Sequence, residues 1–174
     1  MAKDRSFIED ANTILDKLNQ GIIPKEVLYV NVLKGERLPR EKVIERKSRL
    51  FCYTSIAFLF VVRRLFGMYV RNIEANHQYT TMAIGMNPLN EDWDHMIRSM
   101  LRIGNNFICG DYSKFDSTIP YEMARHFADY ISDLYDDDYR VARRTLMSTS
   151  CASRNLIYKY VYQQYQGNPA GCIS

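Results

Sequence analysis

Two aspartates separated by four residues, Asp111 and Asp116, are the side chains of this chain most suited to chemistry. They follow a short apolar run that ends at Gly110. Such a run, bounded by glycine, predicts a buried β-strand over residues 106–109, with Asp111 at its carboxyl end. Catalytic Mg²⁺ takes only one or two protein carboxylates and fills its other positions with water and substrate phosphates, so Asp111 can be half of a metal site.

The same acids fit other interpretations. A hydroxyl residue followed by Pro120 and Glu122 is the pattern that opens a helix, so the acids can also belong to a solvated turn before a helix. A calcium loop is excluded, because Phe115 stands where a polar ligand is needed and Asp116 where glycine is needed. A metal-dependent phosphatase would need a second aspartate at the position of Ser113.

The surrounding patterns predict the elements that must position these acids. Apolar residues at helical spacing predict helices over residues 6–18, 50–70, 121–135 and 138–148, and a further helix capped by Asn90 or Asp92. β-prone patterns cover residues 25–33 and 156–165. This order, rich in helices with a few strands, predicts an α+β protein. No internal repeat or linker divides the chain, and its most apolar stretch is too short to span a membrane.

Charge is distributed unevenly along the chain. The composition, 47% hydrophobic and 25% charged, is that of an ordinary globular protein, and the net charge of +3 does not by itself indicate a nucleic-acid binder. Residues 34–49, which we call the basic segment, hold seven of the 23 Lys and Arg residues against three Glu. This excess predicts an anionic partner for the basic segment.

Several separated motifs follow one another along the chain. They are L-K-G-E-R-L-P-R-E-K-V at 33–43 with R-K-S-R-L-F at 46–51, A-I-G-M-N-P at 83–88 with Trp93, G-D-Y-S-K-F-D at 110–116, and G-N-P-A-G-C at 167–172. In order and spacing they resemble motifs of the RNA-directed RNA polymerases of picorna-like positive-strand RNA viruses. The first resembles the basic fingers motif (motif F), the second the segment just upstream of the palm, the third the palm motif D-x-x-x-x-D (motif A), and the fourth the start of motif B, usually G-x-P-S-G.

The resemblance implies a fold and an activity. The fold would be part of a right-hand polymerase, helix-rich with a small antiparallel palm sheet. Residues 1–105 would be mainly fingers-like, and residues 106–174 palm-like and truncated inside motif B. The activity would be the copying of an RNA template by two-metal nucleotidyl transfer, with Mg²⁺ or Mn²⁺ as the metal.

The resemblance also implies roles for single residues. Asp111 would be the catalytic carboxylate and metal ligand, and Asp116 would meet the 2′-hydroxyl of the incoming nucleotide. The side chains expected to hold the triphosphate are Lys42, Lys47 and Arg49. The residues expected to contact template RNA are Lys34, Arg37, Gly167, Pro169 and Gly171.

This chain departs from the family pattern at two positions. Gly35 stands where the family usually has an acid, a change we expect to be tolerated. Ala170 stands where the family usually has a serine that helps to orient the residue reading the ribose. The second departure bears on sugar discrimination.

The resemblance implies partners for the chain, and one alternative function stays open beside the polymerase interpretation. The partners would be RNA template and primer, nucleoside triphosphates and other viral replication proteins, at replication complexes in the host cytoplasm. The G-D-D hairpin of the family does not occur in these 174 residues, so we expect a fragment that is inactive alone. The acids at 136–138 imitate that hairpin, and we interpret them as a solvated helix end. The rival is a defective remnant or a non-catalytic RNA-binding module that stacks bases on exposed tyrosines, namely Tyr158, Tyr160, Tyr162 and Tyr165.

Overall fold

The computed structural model describes the backbone of residues 2–168 and the side chains of residues 6–168. It combines several helices with one small four-stranded sheet, which confirms the α+β class. In chain order they are α1 (Ala2–Asn19), β1 (Tyr29–Leu33), α2 (Arg40–Ile44), β2 (Leu50–Tyr53), α3 (Ile56–Ala75), a 3₁₀ turn (His77–Tyr79), α4 (Glu91–Leu101), α5 (Phe115–Thr118), α6 (Tyr121–Asp133), α7 (Arg140–Cys151), β3 (Arg154–Ile157) and β4 (Tyr160–Gln163).

The chain folds into two compact units. The first contains the described residues up to Leu65 together with those from Lys114 onward, and the second is Phe66–Ser113. Helix α3 therefore begins in the first unit and ends in the second. The division into fingers-like and palm-like parts at residue 105 stays a prediction.

The sheet lies in the first unit and has the strand order β2-β1-β3-β4. Strands β1 and β2 are antiparallel and are joined by the basic segment, and β3 and β4 form an antiparallel hairpin. The two pairs meet through β1 and β3, which run parallel, with Tyr29 opposite Asn155 and Val30 opposite Leu156. The sheet is therefore mixed and not wholly antiparallel as predicted, because its halves come from distant parts of the chain.

The core of the first unit is built on helix α7, which packs against α1 and α6. On α6 the buried residues Ala124, Ala128 and Ile131 recur every three or four positions, so they form one apolar stripe. Leu146 of α7 is fully buried, as is Leu18 of α1. These amphipathic patterns account for the helices predicted over residues 6–18, 121–135 and 138–148, which are confirmed.

A charged side chain is also buried in this core. Arg143 of α7 is only 1% exposed, and its guanidinium donates two hydrogen bonds to the Asp137 carboxylate, of 2.9 and 2.6 Å, and one of 3.0 Å to the carbonyl of Leu65. Its guanidinium carbon lies 3.9 Å from the ring centre of Tyr135. The interpretation of residues 136–138 as a merely solvated helix end is thus incomplete, because Asp137 compensates a buried charge.

The second unit is held by local polar contacts. The Asn90 side chain caps α4 by accepting a hydrogen bond of 2.9 Å from the Asp92 amide, as predicted. The Asp92 carboxylate accepts hydrogen bonds from the Asn87 amide at 3.1 Å and from the Gln78 side chain at 3.0 Å. Gly85 has φ +84°, and a Cβ there would lie 2.9 Å from the Cα of Glu74, so only glycine fits the turn.

Two predicted elements are corrected. Residues 106–110 form no strand, and Ile108 is fully exposed, because no strand among the described residues pairs with this run and satisfies its backbone groups. The predicted helix over residues 50–70 begins only at Ile56, because Leu50–Tyr53 pairs with β1. Both errors concern short apolar runs, whose secondary structure depends on whether a strand from another part of the chain pairs with them.

Candidate nucleotide-binding site

The basic segment closes the β1–β2 pair. The Lys34 amide donates a 2.9 Å hydrogen bond to the Arg49 carbonyl, which brings the two ends of the segment together. Oε2 of Glu36 lies 3.4 Å from the Lys34 ammonium and 3.6 Å from the Arg49 guanidinium. The sequence interpretation missed Glu36, which gathers two of the predicted cations at one place.

The other predicted cations of the basic segment face solvent. Lys42, on α2, and Arg37 are exposed. Lys47 is 69% exposed and forms a 2.7 Å ion pair with Glu45. Because exposed ion pairs of this kind contribute little stability, Glu45 can release Lys47 to an anionic ligand at small cost.

A polar pocket of about 240 Å³ lies in the first unit, beside the end of the basic segment. Its lining residues come from β1, from β2 directly after Arg49, from the start of α5 and from the chain after β4. The lining residues are Asn31, Leu50, Phe51, Cys52, Lys114, Asp116, Ser117, Gln164 and Asn168. Three of the sequence motifs thus contribute residues to one pocket.

Asp116 is joined to the fourth motif by main-chain hydrogen bonds. The Asn168 amide donates to the Asp116 carbonyl at 2.6 Å, and the Gly167 amide donates to the Ile119 carbonyl at 2.9 Å. Gly167 has φ +88°, and a Cβ there would lie 2.7 Å from the Asp116 carbonyl oxygen. The absence of a side chain at Gly167 therefore permits the close approach of the two segments.

Asp111 lies in the other unit. It is exposed, and it follows the irregular run 106–110. The described residues contain no group of three or more His, Cys, Asp or Glu side chains able to hold a metal ion. The Asp111 carboxylate is a ligand of the kind that Mg²⁺ prefers. Among the described residues it belongs to no larger group of possible metal ligands.

The structure brings together some predicted residues and adds others. Asp116 contacts the Gly167 turn, and the strand that follows the basic segment lines the same pocket, whereas Pro169 and Gly171 lie outside the described residues. The sequence interpretation missed Asn31, Lys114, Gln164 and Asn168. An asparagine within the apolar strand β1 is the one local signal that could have indicated Asn31. No helix among the described residues is long and apolar enough to cross a membrane.

Known proteins resemble this chain over most of its length. The sequence profile of the family described as viral RNA-dependent RNA polymerase matches residues 3–174. The "Replicase polyprotein" of acute bee paralysis virus is 28% identical over 96% of the chain and 9% of its own length. The "RNA1 polyprotein" of broad bean wilt virus 2 is 33% identical over 84% of the chain and 8% of its own length. This chain thus spans less than a tenth of these relatives.

The fold has a solved counterpart. A sicinivirus 3Dpol RNA-dependent RNA polymerase superimposes with a TM-score of 0.71 at 20% identity, covering 91% of this chain and 34% of the polymerase chain. The fold is therefore that of part of a right-hand polymerase. The family profile and the viral relatives agree with this fold. The chain therefore belongs to the viral RNA-dependent RNA polymerase family, within its picorna-like group.

Proposed function

We propose that this chain provides the nucleotide-selecting part of a polymerase that copies RNA from an RNA template by two-metal nucleotidyl transfer. The observation that carries the proposal is the pocket lined by Asp116, by Asn168 of the Gly167 turn and by the β2 residues that directly follow the basic segment. An incoming ribonucleotide needs cations for its triphosphate and polar groups for its sugar. The pocket and the basic segment beside it offer both.

The triphosphate would be held by the basic segment. Arg49 precedes the β2 residues that line the pocket, and its guanidinium suits bidentate contact with phosphate. Lys42 and Lys47 add exposed ammonium groups. Glu36, which lies near Arg49, would limit the positions that the guanidinium can take before the nucleotide arrives.

The sugar and the metal would be met by the two aspartates. Asp116 lines the pocket and would accept a hydrogen bond from the 2′-hydroxyl. Asp111 would be a ligand of the catalytic Mg²⁺ or Mn²⁺, which when bound stabilises the attacking and leaving oxygens of phosphoryl transfer. An exposed carboxylate fits that donor chemistry.

Template RNA would contact Lys34, Arg37 and Gly167, and also Pro169 and Gly171. Exposed cations such as Lys34 and Arg37 attract the phosphate backbone of RNA, and glycine allows close approach to the strand. Association with a primer and with other viral replication proteins, in the host cytoplasm, stays a prediction.

The test is nucleotide incorporation by a polymerase that contains this chain. Asp111→Asn should reduce incorporation by several orders of magnitude while RNA binding is retained, because a metal ligand is lost. Asp136→Asn is the matched control, since it alters the exposed triad of acids that imitates the G-D-D hairpin. Asp116→Ala should mainly change the ratio of ribonucleotide to deoxyribonucleotide incorporation. Near-normal extension by Asp111→Asn would refute the proposed role.

A second candidate is the stacking module, which is favoured by the 92% exposure of Tyr158 and the 66% exposure of Tyr160. Binding of single-stranded RNA to the 174-residue chain as a function of salt separates the two functions. If the basic segment binds RNA, affinity should fall as salt rises, and replacing Lys42, Lys47 and Arg49 by alanine should flatten that dependence. Salt-insensitive binding that is lost on replacing Tyr158, Tyr160 and Tyr162 would favour the stacking module.

A further inference from the structure

Strands β1 and β3 pair over only part of their length. Their parallel register joins Tyr29 to Asn155 and Val30 to Leu156, and among the described residues no later pair follows. Strand β1 nevertheless continues to Leu33, held by β2, while β3 turns into its hairpin with β4. Because each strand follows its own antiparallel partner, the two separate beyond Val30, and no described strand lies beside that side of β1.

An apolar cavity of about 410 Å³ lies where the two strands separate, and we call it the β1–β3 cleft. Its volume is in the range of cavities that bind ligands. Leu33 and Leu50 are 63% and 45% exposed, so the cleft opens to solvent. Six of its eight lining residues are aliphatic, namely Val30, Val32, Leu33, Leu50, Leu156 and Ile157.

The side of β1 that faces the cleft presents main-chain groups. The Lys34 amide donates to the Arg49 carbonyl, directly before β2. Because peptide groups alternate in direction along an antiparallel strand, those of Leu33 point away from β2 and toward the cleft. An extended peptide bound there can pair with these groups, while every second side chain enters the cleft.

Three exposed cations adjoin the cleft, each next in sequence to one of its lining residues. They are Lys34, Arg49 and Lys159. Glu36 offsets part of the charge of the first two, whereas the Lys159 ammonium lies 5.6 Å from the centre of the Tyr160 ring. The cleft therefore attracts a peptide that carries acids at the positions left outside it.

We infer that the β1–β3 cleft is a docking site for a partner protein, which adds an extended segment of alternating apolar and acidic residues to the open side of β1. The apolar side chains fill the cleft, and the acids meet the three cations. A peptide fits better than RNA bases, which need aromatic faces for stacking, because Tyr158 is the single aromatic residue of the lining. The inference does not depend on the proposed function, since the nucleotide pocket is a separate cavity that shares only Asn31 and Leu50 with the cleft.

The test is titration of the 174-residue chain with a six-residue peptide of alternating aspartate and valine, followed by amide NMR. Shifts should appear along β1 and β3. A peptide with lysine in place of aspartate should bind at least about tenfold more weakly, and one methylated at alternate main-chain nitrogens should not bind. Lys159→Glu should weaken binding of the acidic peptide about two- to tenfold, whereas Lys159→Arg should retain it.

A second variant tests the wall of the cleft. Leu33→Asp should abolish binding of the acidic peptide, because it replaces an apolar contact by a like charge. The fold should be retained, since Leu33 is 63% exposed. Leu89→Asp makes the same change at a residue of the second unit that is 94% exposed, and it is the matched control that should bind as the wild type does.

Several results would overturn the inference. Equal binding of the aspartate and lysine peptides would exclude charge selection, and unchanged binding by a folded Leu33→Asp variant would place the peptide elsewhere. Shifts of the β1 and β3 amides with oligouridylate but not with the peptide would make the cleft an RNA contact. Self-association of the chain through the cleft would assign it to a second copy. Peptide binding that is lost in a polymerase containing this chain would show that another part of the polymerase already fills the cleft.

Discussion

The two units of the chain are stabilised in different ways. In the first unit helix α7 is buried among α1 and α6, and the charged core residue Arg143 is paired with Asp137. In the second unit, among the described residues, only Phe66 is buried, and the visible restraints are the Asn90 cap, the Asp92 hydrogen bonds and the Gly85 turn. One unit therefore depends on packing and the other on local polar contacts.

This difference separates the candidate functional residues. Asp116 and the pocket belong to the packed unit, where main-chain hydrogen bonds fix them before any ligand binds. Asp111 belongs to the unit with little core. A pre-organised pocket selects its ligand at low entropic cost, whereas an acid on an irregular segment must be ordered when it binds. The following substitutions test this contrast, beginning with the largest expected effect.

Arg143→Met should cause the largest loss of stability, about 3–5 kcal/mol of unfolding free energy, because it leaves Asp137 and the Leu65 carbonyl without their buried partner. The measurement is urea denaturation. The matched control is Arg98→Met on α4, whose exposed 2.7 Å pair with Asp94 should account for only about 0.3–0.5 kcal/mol. Equal effects of the two substitutions would contradict the distinction between the units.

Leu146→Ala should destabilise the first unit by about 2–5 kcal/mol, because Leu146 is fully buried on α7 and its truncation leaves a cavity. Leu101→Ala on α4 makes the same chemical change at a residue that is 47% exposed, and it should cost less than about 1 kcal/mol. Hydrogen exchange of amides in each unit measures the free energy of unfolding of that unit, and it therefore gives the loss of stability caused by each substitution. A loss at Leu101 as large as that at Leu146 would show that α4 has a core of its own.

These contrasts explain what the sequence could predict of the fold. Helices α1, α4, α6 and α7 follow from apolar residues at helical spacing, a signal that is complete within each helix. The strand expected before Asp111 does not form, and strand β2 was mistaken for helix, because a strand depends on its partner. The pairing of β1 with β3 joins Tyr29 to Asn155 across most of the chain, and no local pattern encodes that register.

The candidate site was predictable to a similar degree. Asp116 and Gly167 were identified from motifs, and the structure brings them together. The contribution of Asn31 depends on sheet register, and that of Lys114 depends on its left-handed backbone, with φ 55°, at the start of α5. Residues of this kind become neighbours only after the tertiary fold has formed.

Asn90→Ala should produce a smaller and local effect of about 1 kcal/mol, because the Asp92 amide at the start of α4 loses its capping partner. Amide exchange should accelerate in the first turn of α4 and stay unchanged in α6 and α7. Asn105→Ala, at an exposed position of the same unit, is the control. Faster exchange throughout α7 in the Asn90 variant would instead show that the two units unfold together.

The smallest effect we expect is the pH-dependent part of the stability that Asp137 provides. The hydrogen bonds from Arg143 hold the pKa of the Asp137 carboxyl below its ordinary value, and the Tyr139 amide adds to this. Because the pKa is lower in the folded state, the contribution is complete above the unfolded pKa of about 4 and is lost as pH falls through the folded pKa. Urea midpoints should therefore separate the wild type from Asp137→Asn at pH 6 and converge as the pH is lowered below about 4.

Asp138→Asn, at the exposed neighbouring position, should show the pH dependence of the wild type. A difference between the wild type and Asp137→Asn that stays constant from pH 6 to pH 3 would mean that the Asp137 charge does not support Arg143, and the polar core of the first unit would then depend on the Leu65 carbonyl and the Tyr135 ring alone.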